Sequence, residues 1–307
     1  MNVSVVVIPI AMVLFTGWVA RRTGLVPKEN WPGIETLSYR ILMPAILIHA
    51  IAEADLNPAR IGTLALALLS TVALLAVTVL AVRFFITKDR LGNPALSSLF
   101  QTSVRWNAFI ALAAADLIAG AEGVLMIAVA MAILIPIISI GSIVVVAALV
   151  SAEAGLRKVV FAVATNPLVI ACVVGLAVNL SGLGMPEMLA TGFEIVGRAA
   201  LGLGLLCVGA SIEIRRFVGV TWPVIAGVIF RPILAPAIFL AVGLFFGLSP
   251  QELTAGVLVN AVPGAINGYF VARAMGGDAE LYADTVAWQT IVCLVAMPAY
   301  LLLAASL

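Results

Sequence analysis

An apolar run from Leu253 to Met275, long enough to cross a bilayer as one helix, is interrupted in its middle by Asn260-Ala-Val-Pro-Gly-Ala-Ile-Asn-Gly268. Hydrocarbon offers backbone groups no partner, so a spanning segment has to satisfy its own N–H and C=O groups. Pro263 removes one donor, Gly264 and Gly268 weaken the adjoining turns, and Asn260 and Asn267 bring amides to membrane depth. Such a break survives only where protein or a water-filled cavity takes up the freed groups. In secondary transporters, breaks of this kind come in pairs near the midplane and build the substrate site. A chain organised around this segment needs a second break to face it.

Composition puts the run in a membrane: 64% of the 307 residues are hydrophobic and 10% are charged, against about 25% charged in soluble domains. Apolar windows of spanning length occur at 3–20, 34–52, 61–85, 95–115, 123–149, 158–180, 188–212, 220–246, 252–275 and 281–305. The reading is an all-α polytopic membrane protein of ten transmembrane helices, with short connectors and no soluble domain. Met1–Ala20 has no basic n-region and is expected to remain as the first span. Cys172, Cys207 and Cys293 all lie in apolar runs and suggest no disulfide framework. Arg21, Arg22 and Lys28; Arg83, Lys88 and Arg90; Arg157 and Lys158; Arg215 and Arg216; and Arg273 fall in every second connector, and the opposite ones hold only Arg60. The positive-inside rule then puts both termini on the non-cytoplasmic side of a cell (inner) membrane.

A repeat underlies the windows. Adding 158 carries Pro9 to Pro167, Gly17 to Gly175, Gly24-Leu25 to Gly182-Leu183, Glu29 to Glu187, Arg40 to Arg198 and Ala121-Glu122 to Ala279-Glu280, and adding 159 carries Gly33 and Glu35 to Gly192 and Glu194. Five spans per half is odd, so residues 1–150 and 157–307 read as a 5+5 inverted-topology repeat. The same offset sets Ser103-Val-Arg-Trp-Asn107 opposite Ala261-Val-Pro-Gly-Ala265. Helices 4 and 9 are therefore expected to be broken and to cross, with Arg105 roughly 15 Å deep.

An arginine near the centre of a spanning helix costs about 2.5–3.5 kcal/mol unless it finds a partner or a polar cavity. Arg105 has no acid within a turn and is the leading substrate-binding residue, with Asn107, Asn260, Asn267 and the backbone around Pro263 to hold ligand oxygens. The asparagines could equally cap the half-helices. Arg231, beside Pro232, either meets substrate or holds carbonyls, and Asn166 before Pro167 belongs to a polar kink. Arg40 with Glu35, and Arg198 with Glu194, read as a repeated structural ion pair. The lone His49 reads as packing or a proton site, and Asp284 with Trp288-Gln-Thr290 as part of a cavity or a cation ligand. Neither an HExxH nor a Walker sequence occurs, so an enzyme, a cofactor or a bound metal is not expected.

Leu42-Met-Pro-Ala-Ile-Leu47, Arg105-Trp-Asn-Ala-Phe-Ile110, Thr165-Asn-Pro-Leu-Val-Ile170, Leu205-Leu-Cys-Val-Gly-Ala-Ser211, Arg231-Pro232 and Val262-Pro-Gly-Ala-Ile-Asn267 follow one another in an order that resembles the auxin efflux carrier family, bacterial type, over essentially the whole chain. The family's usual Pro-Thr-Ala reads Pro263-Gly-Ala265 here. The resemblance implies a fold like that of bile-acid sodium symporters, with helices 1, 2, 6 and 7 as scaffold and 3–5 and 8–10 as moving core. It also implies transport of small organic anions such as auxin or dicarboxylates. The expected partners are a small carboxylate and the lipid bilayer, and no nucleic acid. Coupling to Na⁺ or H⁺ and a homodimer through the scaffold stay open, as do the rival readings of a cation-coupled antiporter and a transporter-like membrane sensor.

Overall fold

The computed structural model describes residues 4–54, 58–150, 161, 164–217 and 220–307. Regular structure among them is entirely helical, at 85% helix with no strand. Helix α1 (Ser4–Thr23) is followed by α2 (Trp31–Leu37), which runs through a wide π turn at Ser38–Leu42 into α3 (Met43–Ala52). Then come α4 (Pro58–Phe85), α5 (Asn93–Val104), α6 (Ala108–Val150), α7 (Pro167–Leu180) and α8 (Glu187–Ser211). Helix α9 (Trp222–Val228) passes through a second π turn at Ile229–Leu234 into α10 (Ala235–Phe245), and α11 (Pro250–Ala261), α12 (Gly268–Met275) and α13 (Ala279–Ala305) complete the chain.

Seven helical stretches among the described residues are long and apolar enough to cross a membrane, which makes this a multi-pass membrane protein. The other apolar segments fall short because they are short or broken. Helix α7 has 14 residues, and Pro263 divides the run from Pro250 to Met275 into helices of 12 and 8. The single stretch Asn93–Val150 is itself interrupted at Arg105 and at Gly120, whose φ of 55° and ψ of −135° no right-handed helix contains. Met1, Asp55, the connector bearing Arg157 and Lys158, and the junction between the two expected halves lie outside the described residues.

Bare glycine faces set the closest helix contacts, as in other membrane bundles. Helix α1 packs on α8 through Gly17 and Gly209, where an added Cβ would sit 2.1 Å from the Leu206 carbonyl oxygen and 1.9 Å from that of Leu14. Helix α7 packs on α3, with Gly175 against Ile48 and Ile51.

The repeated ion pair forms only once. Arg198 meets Glu194 one turn earlier, but Arg40 makes no ion pair with Glu35 among the described residues. Four residues separate Glu194 from Arg198 and five separate Glu35 from Arg40. At about 100° per residue the fourth returns to the same helix face, whereas the fifth lands about 140° away. The π turn at Ser38–Leu42 takes up the extra residue.

Candidate functional site

Both expected interruptions are present, and they touch. Helix α5 ends as Arg105 turns extended (φ −73°, ψ 148°), and α6 restarts behind Asn107, whose Oδ1 accepts from the N–H groups of Phe109 at 3.1 Å and Ile110 at 3.2 Å. This is an N-cap made by an asparagine, with no proline or glycine in the break. In the partner segment Val262 is extended (φ −72°, ψ 157°), as a residue before proline tends to be. The Asn107 N–H donates to the Pro263 carbonyl at 2.8 Å and joins the two breaks directly.

A helix that stops inside a membrane leaves its last carbonyls without partners. Arg231, only 1% exposed, reaches across from the π turn before α10 and donates to the carbonyls of Val262 at 3.1 Å, Ser103 at 3.2 Å and Val259. Gln289 of α13, fully buried, donates to the carbonyls of Thr102 at 3.2 Å and Gly227 at 2.7 Å while accepting from the Gly264 N–H at 2.8 Å. The Tyr282 hydroxyl donates to the Ala265 carbonyl, and Gly268 leaves room for that ring, because a Cβ there would lie 2.0 Å from the hydroxyl oxygen. Arg231, one of the expected ligand residues, therefore belongs to the frame that holds both breaks and does not line the cavity beside them.

That cavity encloses about 860 Å³ including its open mouth, and Arg105, Asn107, Asn166, Asn267, Tyr39 and Glu35 supply most of its polarity. Its size suits a small molecule. Arg105 is 9% exposed, its Nε has no hydrogen-bond partner, and its guanidinium forms neither a hydrogen bond nor an ion pair among the described residues. The Asn267 Oδ1 is likewise buried and unpartnered. Asn166 caps α7 by accepting from the Leu168 N–H at 2.9 Å. The Tyr39 hydroxyl faces the amides of Asn166 and Asn267 and lies close to Arg105.

Other expected residues lie elsewhere. Asn260 is 1% exposed and bonds back to the Gly256 carbonyl, so it neither caps a half-helix nor lines the cavity. Pro263 contributes its carbonyl to the crossing, and its ring is not part of the lining. Asp284 pairs with Arg216 at 2.8 Å, and with Gln289 in the frame the polarity of α13 supplies none of the cavity lining. His49 stands 3.8 Å from Glu53 in a second cavity of about 1450 Å³, which also holds the Glu194–Arg198 pair. Tyr39 and Glu35 were not expected at the site. Their signal was the extra residue between Glu35 and Arg40.

Residues 152–301 match the family model described as membrane transport protein, the domain of the auxin efflux carriers. This half of the chain is an auxin efflux carrier family domain. The match indicates a membrane transporter. No curated protein matches the chain. The carrier domain takes in the Pro263 break, Asn166, Asn267 and the Arg231 and Gln289 frame, while Arg105, Asn107, Tyr39 and Glu35 enter the cavity from residues before it.

Proposed function

We propose that the protein is a secondary carrier of small organic carboxylates, working by alternating access around the contact between the Arg105 and Pro263 breaks. One observation carries the reading: a guanidinium nine-tenths buried and without a partner among the described residues faces the cavity where two interrupted helices meet. An unpaired arginine at that depth costs about 2.5–3.5 kcal/mol, and a carboxylate offering two oxygens to its planar fork is the ligand that best offsets it. Asn107 and Asn267 stand beside it with polar groups for the remaining oxygens. The N-terminus of α6, which starts at this point, adds a partial positive charge.

The transport cycle we envisage uses ten spans in a 5+5 inverted repeat, residues 1–150 and 157–307, with helices 1, 2, 6 and 7 as a scaffold and the rest as a moving core. Support comes from reciprocal packing, α1 on α8 and α7 on α3, and from Gly24 and Gly182, which the repeat equates and which both adopt positive φ, 77° and 68°. In this reading both termini face away from the cytoplasm of a cell (inner) membrane, and two copies pair through the scaffold. Impermeant thiol labelling of cysteines introduced at each end checks the orientation, and opposite accessibility would exclude the inverted repeat.

The substrate class is tested by thermal-shift titration of purified protein with mono- and dicarboxylates, with and without Na⁺, since specific binding raises stability by mass action. Arg105→Gln is expected to melt like the wild type without ligand and to lose about ten- to a hundredfold in carboxylate affinity, the scale of a charge-assisted hydrogen bond. An early-melting variant with unchanged affinity would make Arg105 a strut and remove the basis for the site.

A further inference from the structure

Besides Arg105, one other charged side chain lines the main cavity among the described residues: Glu35 of α2. Its carboxylate makes no hydrogen bond or ion pair among the described residues. The second half of the chain shows that this is not the only arrangement available to such a residue. Glu194, which the repeat equates with Glu35, is neutralised by Arg198 one turn later. Around Glu35 the chain carries one more residue, the π turn absorbs it, and Arg40 is carried to an exposed face instead. The same turn presents Tyr39 to the amides of Asn166 and Asn267 and brings it close to Arg105. Glu35 sits one helical turn from Tyr39, about 6 Å along the axis, on the Lys28 side. The cavity thus holds a cation beside the crossing and a carboxylate toward one end, neither of them paired among the described residues, with neutral amides and a phenol between them.

We infer that Glu35 is a specificity-determining residue and that the substrate is dipolar, carrying a carboxylate for Arg105 and an ammonium group for Glu35, as an amino acid does. This deepens the carboxylate-carrier reading and rests on it. A simple carboxylate would satisfy Arg105 while adding a second negative charge to a low-dielectric cavity that already contains one. A zwitterion pairs both groups and leaves the cavity neutral, with a charge-assisted hydrogen bond at each end.

Matched pairs of ligands test the inference on the full chain in lipid nanodiscs: alanine against propionate, leucine against isocaproate and γ-aminobutyrate against butyrate. Affinities are measured by calorimetry for the wild type, Glu35→Gln, Glu35→Asp and Arg105→Gln. In the wild type, at least one zwitterion should bind about tenfold or more tighter than its des-amino partner, the scale of one hydrogen bond to a charged group. Glu35→Gln should reduce that preference to within about twofold, Glu35→Asp should retain it, and Arg105→Gln should weaken both members of the pair. The wild-type pairs and Glu35→Asp decide the matter even if the Gln variant does not fold. Tighter binding of the des-amino partners by wild type, or a preference that survives in Glu35→Gln, overturns the dipolar inference and leaves the carboxylate reading standing. Des-amino binding that strengthens as pH falls, and that Glu35→Gln matches at neutral pH, makes Glu35 a proton carrier and also overturns it. If neither member of any pair binds, and the mono- and dicarboxylates of the thermal-shift series also fail, both readings fall together.

Discussion

Replacing Arg231 by Gln tests whether the crossing is held by a buried cation. The wild-type guanidinium is 1% exposed and donates to three carbonyls, two from the end of α11 and its break and one from the end of α5. Hydrogen bonds to a charged group contribute about 1.5–3 kcal/mol each, whereas keeping an arginine at membrane depth costs about 2.5–3.5 kcal/mol. The net loss on removing it is then about 1 kcal/mol at the low end and about 6.5 at the high end. A chain of this size shifts by about 2 °C per kcal/mol, so the ligand-free melting temperature should fall by roughly 2–13 °C. Intrinsic tryptophan fluorescence reports the transition, because Trp106 lies in the α5 break and Trp288 precedes Gln289 in the frame. Arg231→Lys keeps the charge but not the fork that reaches several carbonyls, and should recover only part of the loss. A Gln variant that melts within about 1 °C of wild type and yet fails to bind carboxylate would refute the clamp and return Arg231 to the ligand site.

Four further outcomes are expected. Gly204→Ala sets a Cβ 2.0 Å from the Phe109 ring and should destabilise by about 1–3 kcal/mol in a melting assay, with a larger loss of transport if Phe109 has to move past α8. Gly17→Ala and Gly209→Ala meet backbone oxygens that cannot rotate away, so each should lower the melting temperature and the pair should add less than the sum. In a Cys172→Ser, Cys293→Ser background, Cys207, the one cysteine among the cavity-lining residues, should react with a small methanethiosulfonate, and a bound carboxylate should slow the reaction. Glu213 lies between α8 and α9; burial pushes its carboxyl up, but the Arg215 hydrogen bond and the charges of Arg216, Arg215 and Arg21 outweigh it and hold it below the ordinary value of 4.5. A depressed carboxylate stabilises the fold above that value and ceases to do so as pH falls through its folded pKa, so a small melting gap between wild type and Glu213→Gln at neutral pH should close below about pH 4.

What the sequence discloses at this site follows the reach of each interaction along the chain. The Pro263 break is legible because proline and glycine act locally, on φ and on a missing donor. The Arg105 break carries no such residue, and only its polarity and its offset from Pro263 reveal it; its stop depends on the Asn107 cap and on a carbonyl 156 residues away in the chain. That Arg231 could hold carbonyls was legible from the neighbouring Pro232, but which carbonyls it holds, and the role of Gln289, were not, since a side chain that serves carbonyls on two other helices has no signature in its own neighbourhood. Glu35 is the instructive case. Its spacing to Arg40 is five where Glu194 and Arg198 are four apart, and a single count separates a carboxylate met by its own arginine from one with no partner among the described residues. Read only as a repeat, the two halves predict two ion pairs; read at about 100° per residue, the same numbers predict one. Where an internal repeat loses register by one residue inside a spanning helix, a π turn has to absorb the difference, and the side chains beside it leave the faces their counterparts occupy. The departure from the proposed repeat, more than the repeat, is what leaves Glu35 in one cavity without the arginine that meets Glu194 in the other.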